Sequence, residues 1–239
     1  MRADGADAAG VLAAERGGHV LWLLPQRALW WPQRRWLMVA DVHLGKAHAF
    51  RRQGVPVPEG TTAGTLERLD ALLAAWPAER LVVLGDFLHS AHAQTPTVLD
   101  AVHAWRARHA GLDVTLVRGN HDDRAGDPPA SLGIAVVDEP WSLGPFAACH
   151  HPRDDGLLHA EVEAASASFV LAGHTHPVCR LQGRGRDTMR LPCFVRSAGQ
   201  LVLPAFGTFT GGYLMDPAPG VQRYPVGGGQ VWCLPADGS

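Results

Sequence analysis

The chain has 239 residues, a formal net charge of −2 and 46% hydrophobic residues. That length suits one large α/β or all-β domain, and the apolar content excludes global disorder. The near-neutral charge excludes a nucleic-acid binder that works through a protein-wide basic field. Residues 1–17 are small and polar and read as a poorly ordered N-terminal tail, leaving 18–239 as one domain. Apolar, strand-like runs follow at Val20–Leu24, Ala28–Trp31 and Trp36–Ala40. Leu66, Leu69, Leu72, Leu73 and Trp76 fall at helical spacing and predict a helix over Thr61–Trp76. Leu81–Leu84 predicts a short strand, Thr97–His109 a helix with Pro96 near its start, and Val114–Val117 another strand. Phe146–Cys149 and Phe169–Ala172 read as further strands. The tail, over Leu191–Leu214 and Val231–Leu234, reads as strand and turn. Strands alternating with helices imply a partly parallel sheet, and the later strands imply a second sheet packed on it.

Four cysteines (Cys149, Cys179, Cys193 and Cys233) show no C-x-x-C spacing, which argues against a zinc ribbon or a disulfide framework. The first residues carry Asp4, Asp7 and Glu15, unlike a signal peptide, and no apolar run is long enough to span a bilayer. A reducing cytoplasm is the expected compartment. Lysine occurs once, at Lys46, among many arginines. That bias, with the abundant Ala and Gly, reflects codon usage before function.

Five apolar strand segments are each followed at once by polar, metal-competent residues. These are Asp41-Val42-His43, Gly85-Asp86, Gly119-Asn120-His121-Asp122, His150-His151 and Gly173-His174-Thr175-His176. In open α/β sheets the ligand site lies outside the carboxyl ends of the strands, so five such ends can converge. In extended chain, residues i and i+2 face the same way, which would aim Asp41 with His43, and His174 with His176, at one point. The glycines before Asp86, Asn120 and His174 permit sharp turns and close backbone approach. Carboxylate, amide oxygen and imidazole together suit Mn, Fe or Zn better than Ca. Six or seven such ligands exceed one tetrahedral zinc and suit two metals about 3.5–4 Å apart, as phosphoester hydrolysis uses.

These five blocks, in this order, resemble the calcineurin-like metallophosphoesterases. Ala40–Lys46 (A-D-V-H-L-G-K), Pro58–Thr62 (P-E-G-T-T), Leu84–Ser90 (L-G-D-F-L-H-S) and Leu203–Gly212 (L-P-A-F-G-T-F-T-G-G) resemble the ligase-associated DNA-damage-response (PdeM) branch in particular. The resemblance implies a four-layer αββα sandwich of two mixed sheets flanked by helices. It implies one metal on Asp41, His43, Asp86 and His176, and a second on Asp86, Asn120, His150 and His174, with Asp86 bridging. His121 is then not a ligand but faces the scissile phosphate as general acid or electrostatic stabiliser, with Asp122 beside it counted among the catalytic residues. Neighbours on a strand point oppositely, so only one of His150 and His151 can be the ligand. The branch pattern Cys-His-x-Pro favours His150. The metals implied are two divalent ions, Mn²⁺ first, with Fe, Zn or Mg as alternatives.

Further residues are candidates for substrate contact. Lys46, five residues after Asp41, reads either as a phosphate contact or as a surface lysine. Arg51 and Arg52 share that reading. His89, three residues after Asp86, either lines the cleft or caps a turn. Arg180, Arg184, Arg186, Arg190 and Arg196 could track a nucleic-acid backbone or form a solvated hairpin. His48 and His159 carry no assignment, while His92, His103 and His109 read as surface residues and Trp30, Trp31 and Trp36 as core or sheet edge. The function implied is a metal-dependent phosphodiesterase, an endonuclease acting on DNA in repair, associated with a DNA ligase and a helicase and not with membranes. Its rivals are a phosphomonoesterase or small-molecule phosphodiesterase, and a non-catalytic scaffold on the same fold.

Overall fold

The computed structural model describes residues 12–16, 18–52, 54–57, 60–153, 169–183 and 187–235. The first sheet opens with an antiparallel meander of β1 (Leu12–Arg16), β2 (His19–Leu24), β3 (Ala28–Trp31) and β4 (Trp36–Ala40). It continues in parallel through β5 (Arg80–Leu84), β6 (Asp113–Val117) and β7 (Ile134–Val137). A strand thus begins inside the segment read as a tail. Four helices accompany this sheet: α1 (Lys46–Arg52), α2 (Thr61–Ala75), α3 (Pro96–Arg108) and α4 (Asn120–Ala125). The leucines of α2 and Val98, Val102 and Trp105 of α3 pack on Leu37, Val39, Leu81 and Val83, as their spacing predicts. Thr95 caps α3, accepting a hydrogen bond from the Val98 N–H. The short helices α1 and α4 escaped the sequence reading because six or seven residues carry too little periodicity.

The second sheet is built from β8 (Trp141–Ser142), β9 (Phe146–Ala148), β10 (Phe169–Ala172), β11 (Pro177–Gln182), β12 (Thr188–Arg196), β13 (Gln200–Val202), β14 (Tyr213–Leu214), β15 (Gln222–Gly227) and β16 (Gln230–Val231). Its order is β14-β11-β12-β13-β10-β9-β8, with β15 on β12 and β16 on β15. Parallel pairs (β9, β10, β13) sit beside antiparallel ones, so both sheets are mixed. Of the closing strand expected over Val231–Leu234, only Val231 is extended, in β16; 232–234 lie outside it.

The two sheets face each other over a shared core. Trp31, Met38, Val82 and Leu84 from the first meet Phe146, Leu171, Phe194 and Tyr224 from the second. The rings of Trp31 and Phe146 meet edge to face at 5.1 Å. Each large side chain so buried contributes roughly 1.5–3 kcal/mol. The architecture is the α/β sandwich of two mixed sheets that the sequence implied. Among the described residues no helix covers the outer face of the second sheet. Residues 154–168, which join β9 to β10 and include His159, lie outside the described residues, as do Pro58, Glu59, Arg184 and Arg186.

Topology alone fixes where chemistry can occur. Strands β4, β5 and β6 run parallel and end together at Ala40, Leu84 and Val117. Strands β9 and β10 run parallel and end at Ala148 and Ala172. The Leu203–Gly212 segment ties the sheets at this rim. Phe206 donates its N–H to the Ala40 carbonyl (2.8 Å), and Gly207 to that of Asp41 (3.1 Å).

Candidate metal centre

All seven residues expected to bind metal meet at that rim. His43 Nε2 lies 3.1 Å from His176 Nε2 and 3.6 Å from Asp86 Oδ2. His176 Nε2 is 3.4 Å from Asp41 Oδ1. One ligand atom each from Asp41, His43, Asp86 and His176 falls within 4.8 Å of the others. On the other side, His150 Nε2 lies 2.9 Å from Asn120 Oδ1, 3.0 Å from His174 Nδ1 and 3.4 Å from Asp86 Oδ1. The two oxygens of Asp86 therefore face the two groups separately, which is the geometry a bridging carboxylate needs.

The backbone that aims these groups is not extended. Asp41, His43, Asp86, His174 and His176 all have positive φ, from 47° to 71°. Side chains at i and i+2 converge here through left-handed turns beyond the strand ends, and the alternation argued from sequence does not apply. Each such residue costs roughly 1–2 kcal/mol of local strain. Hydrogen bonds hold the strain in place. The Asp41 carboxylate accepts the His174 N–H at both oxygens (3.1 Å each), and Asp86 Oδ1 accepts the His121 N–H (3.0 Å). Space is equally constrained. A Cβ on Gly85 would fall 2.0 Å from the His150 ring, and one on Gly119 2.4 Å from Asp86 Oδ1.

Asp122 is fully buried and accepts N–H groups from Asp86 (2.7 Å), Gly119 (3.0 Å) and Leu88 (3.1 Å). Its oxygens are spent on backbone. These bonds to the backbone of Asp86, Leu88 and Gly119 fit a positioning role for the residue expected to be catalytic. His150 and His151 both lie past the end of β9, and their rings stay together at 4.8 Å, with one ligand atom each from His150, His151 and His174 within 4.8 Å of the others, so strand alternation does not separate them. His150 is completely buried, and its Nδ1 lies 3.2 Å from the Leu84 carbonyl, so Nδ1 donates and Nε2 is left for an ion. His151 Nδ1 is 2.5 Å from Glu139 Oε1. Glu139 also accepts the His150 N–H (2.6 Å). Nothing in the spacing around Glu139 flagged this anchor, because it acts across strands.

His89 enters the cleft: its Nδ1 is 3.3 Å from His43 Nδ1, and its ring stacks on His121 at 4.7 Å. His121 Nδ1 lies 2.6 Å from the His89 carbonyl and so carries the proton, turning Nε2 toward the cluster, 3.9 Å from Asp86 Oδ2. Lys46, half-buried, donates from Nζ to the Thr210 carbonyl (3.2 Å), which also lies 3.3 Å from His176 Nδ1. Arg51 and Arg52 are exposed on α1, and Arg51 donates to the Val57 carbonyl at 3.4 Å. Arg180 and Arg190 are exposed cross-strand partners, and Arg190 donates to the Gly212 carbonyl at 3.0 Å.

The donor set fits divalent cations. Imidazole nitrogens at 3.0–3.1 Å from one another, beside two buried carboxylates, are a donor set that shared cations would satisfy. Burial first, then Asp41, pushes Asp86 up to about 8. Burial first lowers His150 and His89 to about 4, and takes His43 far below the imidazole range, with His176 adding to it. The signs decide the pH response of chelator-treated protein. Histidines held low are neutral in the fold and add stability as pH rises toward the unfolded value of about 6.5. Asp86, held high, keeps a proton that the unfolded chain has lost, so it removes stability as pH rises to about 8. Between about 6.5 and 8 only the Asp86 effect remains among these groups. The melting temperature of chelated protein should fall across that window, and saturating divalent metal should abolish the fall. An equal fall with metal present would show that Asp86 holds none.

Comparison with known proteins follows this geometry. No protein-family model matches the chain, and no curated protein does. Among solved structures, the nuclease MPE of Pseudomonas putida is 50% identical, covers 94% of this chain and 100% of its own, and superposes with a TM-score of 0.78. More distant are the phosphoesterase Yfce from E. coli (14% identity, 79% and 86% covered, TM-score 0.36) and zinc-complexed Vps29 from Entamoeba histolytica (16%, 83% and 96%, TM-score 0.37). Among the described residues no helix is long and apolar enough to cross a membrane. With a full-length likeness at half identity to a nuclease, beside the two-sheet sandwich and the His/Asp groups of this chain, the chain belongs to the calcineurin-like metallophosphoesterases and is a phosphoric ester hydrolase.

Proposed function

We propose that this chain is a dinuclear, Mn²⁺-dependent phosphodiesterase that cleaves DNA, of the ligase-associated repair branch. The observation that carries the reading is the division of the seven residues into two ligand groups on opposite oxygens of Asp86. Asp41, His43, Asp86 and His176 would hold one ion, and Asp86, Asn120, His150 and His174 the other. Two ions so held supply positive charge to the attacking and leaving oxygens of a phosphoester. Nucleic acid as substrate is supported by the likeness to a nuclease at half identity. A role in repair beside a DNA ligase and a helicase follows only from the branch resemblance, and the cytoplasm is its expected setting.

The chain's own groups do the rest. His121 Nε2 points to the cluster from a ring fixed by the His89 carbonyl, so it can place a proton or a positive charge at the leaving oxygen. Lys46, whose ammonium meets the Thr210 carbonyl beside His176, would neutralise a non-bridging phosphate oxygen. Asp122 and the Leu84 and Thr210 carbonyls hold the ligands in orientation.

The reading is tested by comparing hydrolysis of single-stranded DNA, a nucleotide diester and a phosphomonoester. Cleavage of the first two is expected; activity confined to the monoester contradicts it. On an alkyl or nucleotide diester, His121→Ala should retain its metal and lose roughly 10²–10⁴-fold in rate. The deficit should shrink on a nitrophenyl diester, whose leaving group needs no proton. Equal deficits would indicate charge stabilisation alone, and loss of metal would make His121 a ligand.

His150 and His151 can be separated directly. His150→Ala should lose metal and activity, whereas His151→Ala should retain metal because its ring is engaged with Glu139. Metal loss confined to His151→Ala would reverse the assignment.

A further inference from the structure

A second cationic feature lies on the same rim and takes no part in the cluster. The β2–β3 connection, Pro25-Gln26-Arg27, is a three-residue hairpin loop whose last residue is left-handed (Arg27, φ 61°), a position where glycine is the low-cost choice. Since Leu24 pairs with Ala28 and Leu29 with Met38, this loop lies at the end of the sheet where β4 reaches Asp41. One strand spacing, about 4.8 Å, separates β3 from β4. Beside the loop is a cavity of about 540 Å³ lined by Gln26, Arg27, Arg68, Thr208, Gly228 and Gly229 among others.

Both guanidiniums are partly buried there, and no carboxylate pairs with either among the described residues. Arg68 donates to the carbonyls of Phe206 (2.5 Å) and Gln26 (3.4 Å) and lies over the Phe206 ring. Arg27 donates once, to the Ala205 carbonyl at 3.4 Å. Each guanidinium has five N–H groups, so most of their donors are uncommitted. Burial lowers both pKa values, Arg68 to about 10 with Arg27 as second cause, yet both remain cations at neutral pH. The buried amide oxygen of Gln26 has no partner. Two partly buried like charges facing one cavity would be stabilised by an anion held between them. A single residue couples this cavity to the metal cluster: Phe206 accepts from Arg68, and the next N–H, of Gly207, donates to the Asp41 carbonyl.

We propose that the Arg27–Arg68 cavity is a phosphate-binding subsite, filled by a backbone phosphate of the substrate strand away from the scissile bond. The proposal rests on the nucleic-acid reading above for the source of the phosphate, and on the unpaired arginines for the site itself. A bidentate contact from each guanidinium would fix the strand relative to the metal cluster.

The test uses the full chain with chelator, so that no cleavage occurs. Binding of a fluorescein-labelled single-stranded oligonucleotide is followed by anisotropy over a salt series, and the melting temperature is followed with inorganic phosphate. Arg27→Gln and Arg68→Gln should each weaken oligonucleotide binding by about tenfold or more and reduce the log–log salt slope by about one. Should Arg68→Gln fail to fold, because Arg68 also fastens Phe206, Arg27→Gln alone decides. Unchanged affinity and slope in Arg27→Gln overturn the proposal. If phosphate stabilises wild-type protein but not Arg27→Gln while the oligonucleotide slope is unchanged, the pocket serves free phosphate and the strand assignment is wrong. If wild-type protein binds no oligonucleotide with chelator and none with saturating divalent metal, the nucleic-acid reading itself fails, and the phosphate arm alone then upholds or removes the anion site.

Discussion

The site depends on one buried carboxylate. Asp86 sits between two sets of imidazoles, with Oδ2 facing His43 and Oδ1 facing His150, in a backbone conformation that non-glycine residues seldom adopt. Its own N–H is held by Asp122, and Oδ1 takes the His121 N–H. Ionised, buried and beside Asp41, it is electrostatically unfavourable without cations. Divalent metal would convert that penalty into binding energy.

Around Asp86 the fold trades local strain for convergence. Five of the seven proposed ligands occupy left-handed backbone just past strand ends. Such residues persist only when their surroundings over-determine them. Here parallel strands supply a level rim, and carboxylates capture backbone N–H groups. Glycines at 85 and 119 let the His150 ring and the Asp86 carboxylate come as close as they do. The Leu203–Gly212 segment closes the arrangement from the second sheet and is shared with the Arg27–Arg68 cavity. Metal cluster and candidate phosphate subsite therefore share one rim.

Much of this was legible in the sequence, for physical reasons. Apolar runs ending abruptly in Asp, Asn and His mark the strands and the residues at their tips, because burial and ligation demand different side chains. Long helices such as Thr61–Ala75 announce themselves by leucine spacing. The mechanism of convergence was not legible: strand alternation predicted the right residues for the wrong reason, since φ at Asp41 and His43 is positive. Asp122 looked catalytic by adjacency, yet its oxygens are consumed by three backbone N–H groups. Glu139, the Thr210 carbonyl and the Arg27–Arg68 pair act across long sequence separations and leave no local pattern. Strand β15 blurred for the same reason, as its partner β12 is remote in sequence.

The central claim is that Asp86 divides its oxygens between two metal ions. The direct measurement is the metal content of protein saturated with Mn²⁺ and freed of excess, for the natural chain and for Asp86→Asn. Two ions per chain are expected, with neither site retained at full occupancy in the variant. One ion or none in the natural chain, or two still held by Asp86→Asn, would contradict the account.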